Sequence, residues 1–270
     1  MAHSKRVDTK QKKKIPIFSS EYRPKLENLP AFSTVSDQTP IDIYQLIEHI
    51  SLSPKADYFE EIYAIIPVHR PLWGASCVIY RENVLLVDDH PFHIVCKLLQ
   101  HLEHVDYPIY RQVLGHMMNK KERLTPVASQ NYSLFPTAKV DDSDTMWLNP
   151  GRIHSLITQN RQTIVCFENL FALATPKKID SLKKGMKKAF FAHAIIKREH
   201  DCRGTRSTTS LLEFLNVTSS VETREILKNI EFQHIPGYQH DFFRNYPKFQ
   251  DAHSQNKAKR ELHRRYSIEL

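Results

Sequence analysis

Residues 134–150 read LFPTAKVDDSDTMWLNP and carry the most informative pattern in the chain. The apolar pair Leu134 and Phe135 runs into Pro136, which cannot continue a central strand because it has no backbone N–H. A loop rich in aspartate follows, and then comes Trp147, one of two tryptophans in the chain. We predict a hairpin in which Pro136 ends one strand, the aspartates form a solvated turn and Trp147 packs inward from the next strand.

Segments with the length and composition of strands lie on both sides of this hairpin. Residues 58–68 predict a strand that ends at Pro67, and residues 76–80 and 83–87 predict a second hairpin. More short apolar runs follow Trp147, and the tight turns between them favour antiparallel pairing. We therefore expect an α+β fold with mainly antiparallel strands in the middle and helices flanking them.

Several helices are predicted from their start signals. The helix after residue 38 would have Thr39 as its N-cap and Pro40 at its first position, and the helix before residue 102 would be capped by Asp89. Residues 107–118 predict a further helix. In the C-terminal part, the sequence SSVE at 219–222 is typical of a capping box and indicates the second helix of a pair.

Residues 178–198 have the clearest helical periodicity and predict one long, basic, amphipathic helix. Six apolar residues fall within about 120° of one another on a helical wheel; they are Ile179, Leu182, Met186, Ala189, Phe190 and Ile196. The lysine ridge, defined here as Lys183, Lys184, Lys187 and Lys188, lies beside and opposite this apolar stripe. Phe191 and Ile195 fall on the lysine side and are candidates for self-association.

The positive charge is segregated along the chain. Residues 1–27 carry eight basic and three acidic side chains, residues 175–206 carry ten and three, and residues 257–270 carry five and two. The rest of the chain has an excess of acidic side chains, although the whole molecule has a formal net charge of +8. Such a distribution favours a polyanionic partner.

Other classes of function lack the residues that they need. The chain has no glycine-rich phosphate loop and no pair of cysteines at metal-binding spacing, so we expect no cofactor, no metal and no catalytic activity. The four widely spaced cysteines are expected to be reduced thiols. No apolar run is long enough to span a bilayer and the N-terminus does not have the pattern of a signal peptide, so we expect a cytoplasmic protein without membrane contact.

Residues 58–200 resemble the competence transcription factor (ComK) family. The family pattern has a strand with LP (here IIPV, 65–68), a hairpin with a helix (78–99) and a strand with K-P (NKKERLTPV, 119–127, which has two inserted residues). Next come (L/F)FPT (here LFPT, 134–137) and W(I/L) (here WL, 147–148). The last elements are VTF-N (IVCFEN, 164–169, with Cys in place of Thr), LP with two extra residues (173–176) and the start of a long helix. About half to two-thirds of the chain is covered, and the most specific part is LFPT followed by WL.

The resemblance implies a bacterial, nucleoid-associated transcription activator of the genes for DNA uptake and natural transformation. Members of the family bind paired A·T-rich boxes in double-stranded DNA as dimers that associate further, largely through the minor groove, and they bind no cofactor. An activator of this kind would also work with RNA polymerase. The chain would then divide into a disordered basic arm (1–38), a ComK-like core (39–200), a helical insertion (201–235) and a basic tail (236–270).

Candidate DNA-binding residues follow from the charge and from the resemblance. The lysine ridge is suited to phosphate contacts, which release counterions and supply much of the affinity for DNA. Basic residues in or beside a polar connection could enter a narrow A·T minor groove; they are Arg111, Lys120, Lys121 and Arg123. No helix with Asn or Gln at base-reading spacing stands out, which is consistent with the reading of DNA shape.

Two alternatives remain open at the level of sequence. The tail segment DFFRNYPKF is similar to a short F--YP segment of the family, through Phe243, Tyr246 and Pro247. It could be a linear motif for a protein partner such as a protease adaptor, in which case the chain would be an interaction module. Less favoured is a metal-dependent nuclease that uses Asp141, Asp142 and Asp144, because adjacent aspartates between strands more often form a solvated turn.

Overall fold

A computed structural model describes Lys25, Leu29 and residues 39–50, 52–70, 73–119, 124–168, 171–202 and 204–266. It contains both helices and strands, with a mixed seven-stranded sheet and helices beside it, so the predicted α+β class is confirmed at this level. Most of the buried apolar side chains from the sheets and from the longer helices join one hydrophobic cluster. The described part of the chain therefore folds around one main core.

The larger sheet has the strand order β1-β4-β3-β2-β7-β6-β5. Its pairs are antiparallel except for β1 with β4, which is parallel. The strands are β1 (Leu52–Ser53), β2 (Ile62–Arg70), β3 (Trp73–Tyr80), β4 (Val84–Val87), β5 (Val127–Ala128), β6 (Ser133–Pro136) and β7 (Trp147–Leu148).

The hairpin predicted from LFPTAKVDDSDTMWLNP is present as β6 and β7. Phe135 pairs with Leu148 and Pro136 pairs with Trp147, and β6 ends at Pro136 as predicted. Trp147 is fully buried. The aspartates lie in the exposed connection between the two strands, so the predictions for this stretch are confirmed.

The strand predicted at residues 58–68 starts later and runs further than expected. Pro67 lies inside β2 and pairs with Ser76, and the strand continues to Arg70. On its other side, β2 pairs with β7 only at Ala64 and Ile65. Because no β7 residue pairs with β2 at Pro67, a residue without an N–H is tolerated there. The predicted hairpin of β3 and β4 is confirmed.

A smaller antiparallel sheet follows the hairpin and has the order β10-β9-β8. Its strands are β8 (Ile153–Gln159), β9 (Gln162–Phe167) and β10 (Phe171–Thr175), and a short 3-10 turn, Pro150–Arg152, leads into it from β7. The rings of Phe167 and Phe171 stack with their centroids 4.6 Å apart and join the main core. Sequence order thus carries the chain from the larger sheet directly into the smaller one.

The described helices are α1 (Ile43–Ile47), α2 (Pro91–Leu102), α3 (Tyr107–Met117), α4 (Ile179–Glu199), α5 (Leu211–Leu215), α6 (Val221–Leu227) and α7 (Asp241–Tyr266). The long basic helix predicted at 178–198 is confirmed as α4. It packs against β5 and β6 of the larger sheet and against α5, α6 and α7.

Three predicted helix starts are wrong. α1 is capped by Asp42, whose carboxylate accepts a hydrogen bond from the N–H of Tyr44, whereas Pro40 pairs with Ala172 of β10. α2 is capped by the ring of His90 instead of Asp89. The carboxylate of Asp89 is taken by other donors, among them Nζ of Lys97 at 2.6 Å.

The start of α6 is also shifted, by one residue. Its N-cap is Ser220, whose hydroxyl accepts a hydrogen bond from the N–H of Thr223. Glu222, the expected partner in a capping box, instead lies 2.9 Å from Nζ of Lys183 in α4. The two-helix pair itself is present, as predicted.

The segments predicted to lie outside the core contribute to it. Leu211, Leu227 and Ile235 from the predicted insertion and Phe242 from the predicted tail are buried in the main cluster. Of the predicted disordered arm, Lys25 forms a β-bridge with Asn83, and Leu29 is buried, so disorder does not hold at these two positions. The remainder of residues 1–38 lies outside the described residues.

Candidate nucleic-acid interface

The lysine ridge is positioned by the packing of α4. The face predicted to be apolar is turned toward the sheet, and Leu182, Met186, Ala189, Phe190 and Ile196 are buried. Gly185 allows α4 to approach β6 closely. Because the apolar face is held against the core, the opposite face of the N-terminal half of the helix is presented to solvent.

Lys183 is not part of the exposed surface in the way that the sequence suggested. Its Nζ lies 2.7 Å from a carboxylate oxygen of Glu225 and 2.9 Å from one of Glu222, both in α6. The hydrogen bonds from Nζ to Glu225 and Glu222 raise the pKa of Lys183. This lysine links α4 to α6 and its charge is already paired within the protein, so a contact with DNA phosphates is less favoured here than at the exposed lysines.

Lys184 and Lys187 are exposed, and Lys188 is half-buried. Lys178, the N-cap residue of α4, is exposed as well. The N-terminal end of a helix carries partial positive charge from its unpaired N–H groups, which adds to the potential of nearby lysines. The N-terminal half of α4 therefore presents a positive surface that includes Lys178, Lys184 and Lys187.

The two candidates for self-association are covered by the fold. Ile195 is fully buried and Phe191 is half-buried and packs against the core, so the expectation that they form an exposed contact surface is wrong. The helix α7 and its connection cover the C-terminal half of α4. There the guanidinium of Arg198 donates to backbone carbonyls of residues 235–238, and Glu199 accepts from the N–H of Phe242.

The candidates for minor-groove insertion are only partly described. Arg111 is exposed in α3, as an inserted residue must be. Lys120, Lys121 and Arg123 lie outside the described residues. The proposal that residues of this connection enter a groove therefore remains a prediction.

The tail segment predicted as a linear motif is part of helix α7 and is docked. The Tyr246 hydroxyl accepts a hydrogen bond from the N–H of Asp106 at 2.7 Å, and the ring of Phe243 lies edge-on to that of His200. Pro247 is exposed inside the helix. Because Phe243 and Tyr246 pack against the core, this segment is not an accessible extended peptide, and the expectation of a free motif is wrong.

The three aspartates of the nuclease alternative are exposed and lie in the predicted turn. The carboxylate of Asp142 accepts a hydrogen bond from the N–H of Asp144, and Asp144 in turn lies 2.8 Å from Nε2 of His69. Within the described ranges, no group of three or more His, Cys, Asp or Glu side chains could hold a metal ion. Cys77, Cys96, Cys166 and Cys202, which all lie in the described ranges, form no disulfide with one another.

A half-buried charged network was not predicted. Arg152 forms ion pairs with Glu61 at 2.6 Å and with Glu168 at 3.1 Å, and Glu168 also accepts hydrogen bonds from Tyr63 and Thr218. Burial raises the pKa of Glu168, but the hydrogen bonds from Thr218 and Arg152 outweigh it and hold the pKa below its ordinary value. No local signal could have found this set, because its members are far apart in the chain.

The network encloses too little space for a ligand. The adjacent cavity, lined by Glu61, Arg152, His193 and others, has a volume of about 10 Å³, which is room for one water molecule at most. Since the charged groups are paired with one another, they hold together the start of β2, the turn Pro150–Arg152, the end of β9 and the segment that precedes α6. We assign the network a structural role.

Comparison with known proteins adds no relative. No family model, no curated protein and no solved structure matches the chain. Among the helices of the described residues, none combines the length and the apolar character needed to cross a membrane.

Proposed function

We propose that the chain is a DNA-binding transcription activator that binds A·T-rich duplex DNA, of the kind implied by its resemblance to the ComK family. The observation that carries the proposal is the orientation of α4. This helix buries its apolar face in the core while it exposes Lys184 and Lys187 on a surface to which its N-terminal end adds positive charge. Exposed lysines that contact phosphates supply sequence-independent affinity.

The arrangement of the resembling segments also supports the proposal. The FPT and WL segments, which are the most specific part of the resemblance, lie on the paired strands β6 and β7. The helix α4, which bears the lysines, packs directly on β6. The most family-like hairpin and the proposed DNA-binding helix are thus neighbours, as parts of one scaffold would be.

The remaining parts of the proposal come from the resemblance. They are the preference for A·T-rich boxes read largely through the minor groove, the association of copies of the chain on DNA, the partnership with RNA polymerase, and the location in the bacterial cytoplasm at the nucleoid. An A·T tract has a narrow minor groove with enhanced negative potential. An exposed arginine such as Arg111 has the chemistry to enter such a groove.

A gel-shift titration across salt concentration tests the proposal. The wild-type chain should bind an A-tract duplex more tightly than a G·C-rich duplex of equal length, with affinity that falls steeply from 50 to 200 mM salt. The double variant Lys184→Ala, Lys187→Ala should flatten the slope of log affinity against log salt by about two, because each phosphate contact contributes about 0.9. Its melting temperature should stay close to that of the wild type, since both side chains are exposed.

Lys183→Ala is the matched control for the single variant Lys184→Ala, because each removes one positive charge from the same helix. Since Lys183 is paired with Glu222 and Glu225, this variant should lose some stability and keep the salt slope of its parent. Equal binding to both duplexes, or the absence of any salt dependence, would refute the proposal. An equal change of slope in Lys183→Ala and Lys184→Ala would show that the exposed surface of α4 is not the contact.

A further inference from the structure

The helix α7 consists of a docked half and a distal half whose described side chains, Gln250 to Arg260, are mostly exposed. In the docked half, Phe242 is fully buried, and Tyr246 and Phe249 pack against the core. Beyond Phe249 the pattern changes. From Gln250 to Arg260 every side chain except the half-buried His253 is exposed, although the helix continues to Tyr266.

A helix that is exposed on nearly all sides has little tertiary packing to stabilise it. Isolated helices shorter than about 12–15 residues are marginal in water, and a helix that is polar all round is typical of one that bridges to something else. The docked half provides the nucleus from which residues 250–266 continue. From Gln250 to Arg260 the helix is therefore an extension with most of its surface available to a partner.

The composition of this extension specifies the chemistry of that partner. Residues 250–266 contain five Lys or Arg side chains and two acidic ones. Lys257, Lys259 and Arg260 are exposed, and Lys257 and Arg260 share a face one turn apart. The amide side chains of Gln255 and Asn256 are exposed beside them. Basic groups for phosphates and amides for adenine edges are the side chains that read DNA through the major groove.

We propose that residues 250–266 form a second DNA-contacting element, which enters the major groove of the duplex bound by α4. The proposal rests on the DNA-binding function proposed above and adds a groove and a set of residues to it. The major groove of B-DNA is about 12 Å wide, which admits a helix with its side chains, and a helix in a groove is contacted on several faces at once. A helix that lay on a flat surface would need only one polar face.

Binding in the major groove would also make the helix prefer duplex DNA to duplex RNA. The major groove of A-form RNA is deep and too narrow for side chains to read, so a helix of this kind discriminates against duplex RNA. The charge of the extension alone would not do so. Preference for DNA over RNA of the same sequence is therefore part of the proposal.

Two double variants with matched chemistry test it in the full-length chain. The distal variant is Lys257→Gln, Arg260→Gln, in the exposed half. The proximal variant is Arg244→Gln, Lys248→Gln, which removes one Lys and one Arg from exposed positions in the docked half of the same helix. Salt-dependent gel shifts with a duplex that has guanines on both sides of an A·T-rich centre give the slope for each. Protection of guanine N7, which faces the major groove, and of adenine N3, which faces the minor groove, is read by dimethyl sulfate footprinting.

The distal variant should flatten the salt slope by about two, which lowers affinity roughly 10- to 100-fold near 0.1 M salt, and should lose guanine N7 protection. The proximal variant should keep the salt slope and the guanine N7 protection of the wild type. Equal slopes for the two variants, or wild-type binding without N7 protection, would overturn the inference and leave the function of α4 standing. Equal affinity for duplex RNA would also count against it. Failure of the wild type to bind any duplex would remove both proposals together.

Discussion

Gly185 of α4 lies so close to Phe135 of β6 that a β-carbon at Gly185 would stand 2.7 Å from Cδ2 of the phenyl ring. Phe135 is fully buried, so its ring has no room to move away. The contact joins the FPT segment to the helix that carries the lysines. A glycine in the middle of a helix costs stability, and here the close approach of helix and sheet explains its presence.

Gly185→Ala should therefore destabilise the chain. At an exposed helical site, alanine in place of glycine would stabilise by about 1 kcal/mol. Overpacking of a core costs about 1–3 kcal/mol, so after the gain from alanine we expect a net loss of up to about 2 kcal/mol at Gly185. Urea denaturation measures the change.

Two further variants make this test specific. Phe135→Leu should cost less in the Gly185→Ala background than in the wild type, because the smaller side chain relieves the overlap. Gly74→Ala serves as the control, since a β-carbon there meets no atom within 4 Å. A stabilised Gly185→Ala variant would show that α4 can move away from β6 at little cost.

Arg152→Met should be strongly destabilising. Removal of the guanidinium leaves Glu61 and Glu168 close together without their shared partner. Breaking a buried ion pair by removal of one partner costs about 3–5 kcal/mol, and the partial exposure of this network places the expected loss near the lower end. Thermal and urea denaturation give the value.

A triple variant provides the control for Arg152. Arg152→Met combined with Glu61→Gln and Glu168→Gln should recover part of the lost stability, because the uncompensated carboxylates are gone. If the single variant loses less than about 1 kcal/mol, as exposed ion pairs do, the network does not contribute as a buried set.

Acid should destabilise the chain through His193. This ring is buried and Nε2 donates to the carbonyl of Gln130, and burial lowers the pKa of His193 to about 3. The unfolded chain takes up a proton near pH 6.5, whereas the folded chain does not until near pH 3. The neutral ring makes its full contribution to the free energy of unfolding above pH 6.5. As the pH falls below 6.5, this contribution is lost by up to about 1.4 kcal/mol per pH unit.

His193→Gln should reduce this dependence. An amide side chain can still donate to the Gln130 carbonyl but does not titrate, so the free energy of unfolding should fall less steeply between pH 6.5 and 4 than in the wild type. His154→Gln, at an exposed position in β8, is the comparison. If the free energy of unfolding varied with pH in the same way for the wild type and His193→Gln, the ring would be protonated in the folded chain without loss of stability.

The docking of α7 predicts the behaviour of the tail. Phe242→Ala should cost about 3–5 kcal/mol, because a buried phenyl ring is lost from the core. Tyr246→Phe should cost about 1 kcal/mol through loss of the hydrogen bond to the N–H of Asp106. Trypsin should cut after Arg244 and Lys248 faster in Phe242→Ala than in the wild type. If this segment were a free linear motif, neither substitution would change the stability, and trypsin would cleave Phe242→Ala and the wild type at the same rate.

Much of the fold follows from local pattern. The strands of the LFPT hairpin and the hairpin of β3 and β4 were predicted from apolar runs and turn residues, and the long helix α4 from helical spacing. The helix buries one face along a regular period, and the strands are short apolar runs between turn residues, so both patterns are visible in the chain itself. The exposed aspartate turn was predicted for the same reason.

The candidate site was predicted less well. The sequence places four lysines together, but it does not show that Lys183 is taken by two glutamates from α6 or that α7 covers the C-terminal half of α4 and leaves Ile195 buried. The start of α2 at His90 likewise depends on which donors occupy Asp89. Each of these outcomes depends on which hydrogen-bonding, charged and apolar groups pair in the folded chain. Several side chains of the same type could form each of these pairs.

By itself, the sequence determined the periodic elements, the segregation of positive charge and the end of β6 at Pro136, because these properties depend on residues within a few positions of one another. The tertiary structure alone decided that Gly185 admits Phe135, that Arg152 gathers Glu61 and Glu168, and that the aromatic tail docks while most side chains from Gln250 to Arg260 remain exposed. Those contacts join residues that are tens of positions apart. Their free energy depends on packing and on the pairing of buried polar groups, which exist only once the chain has folded.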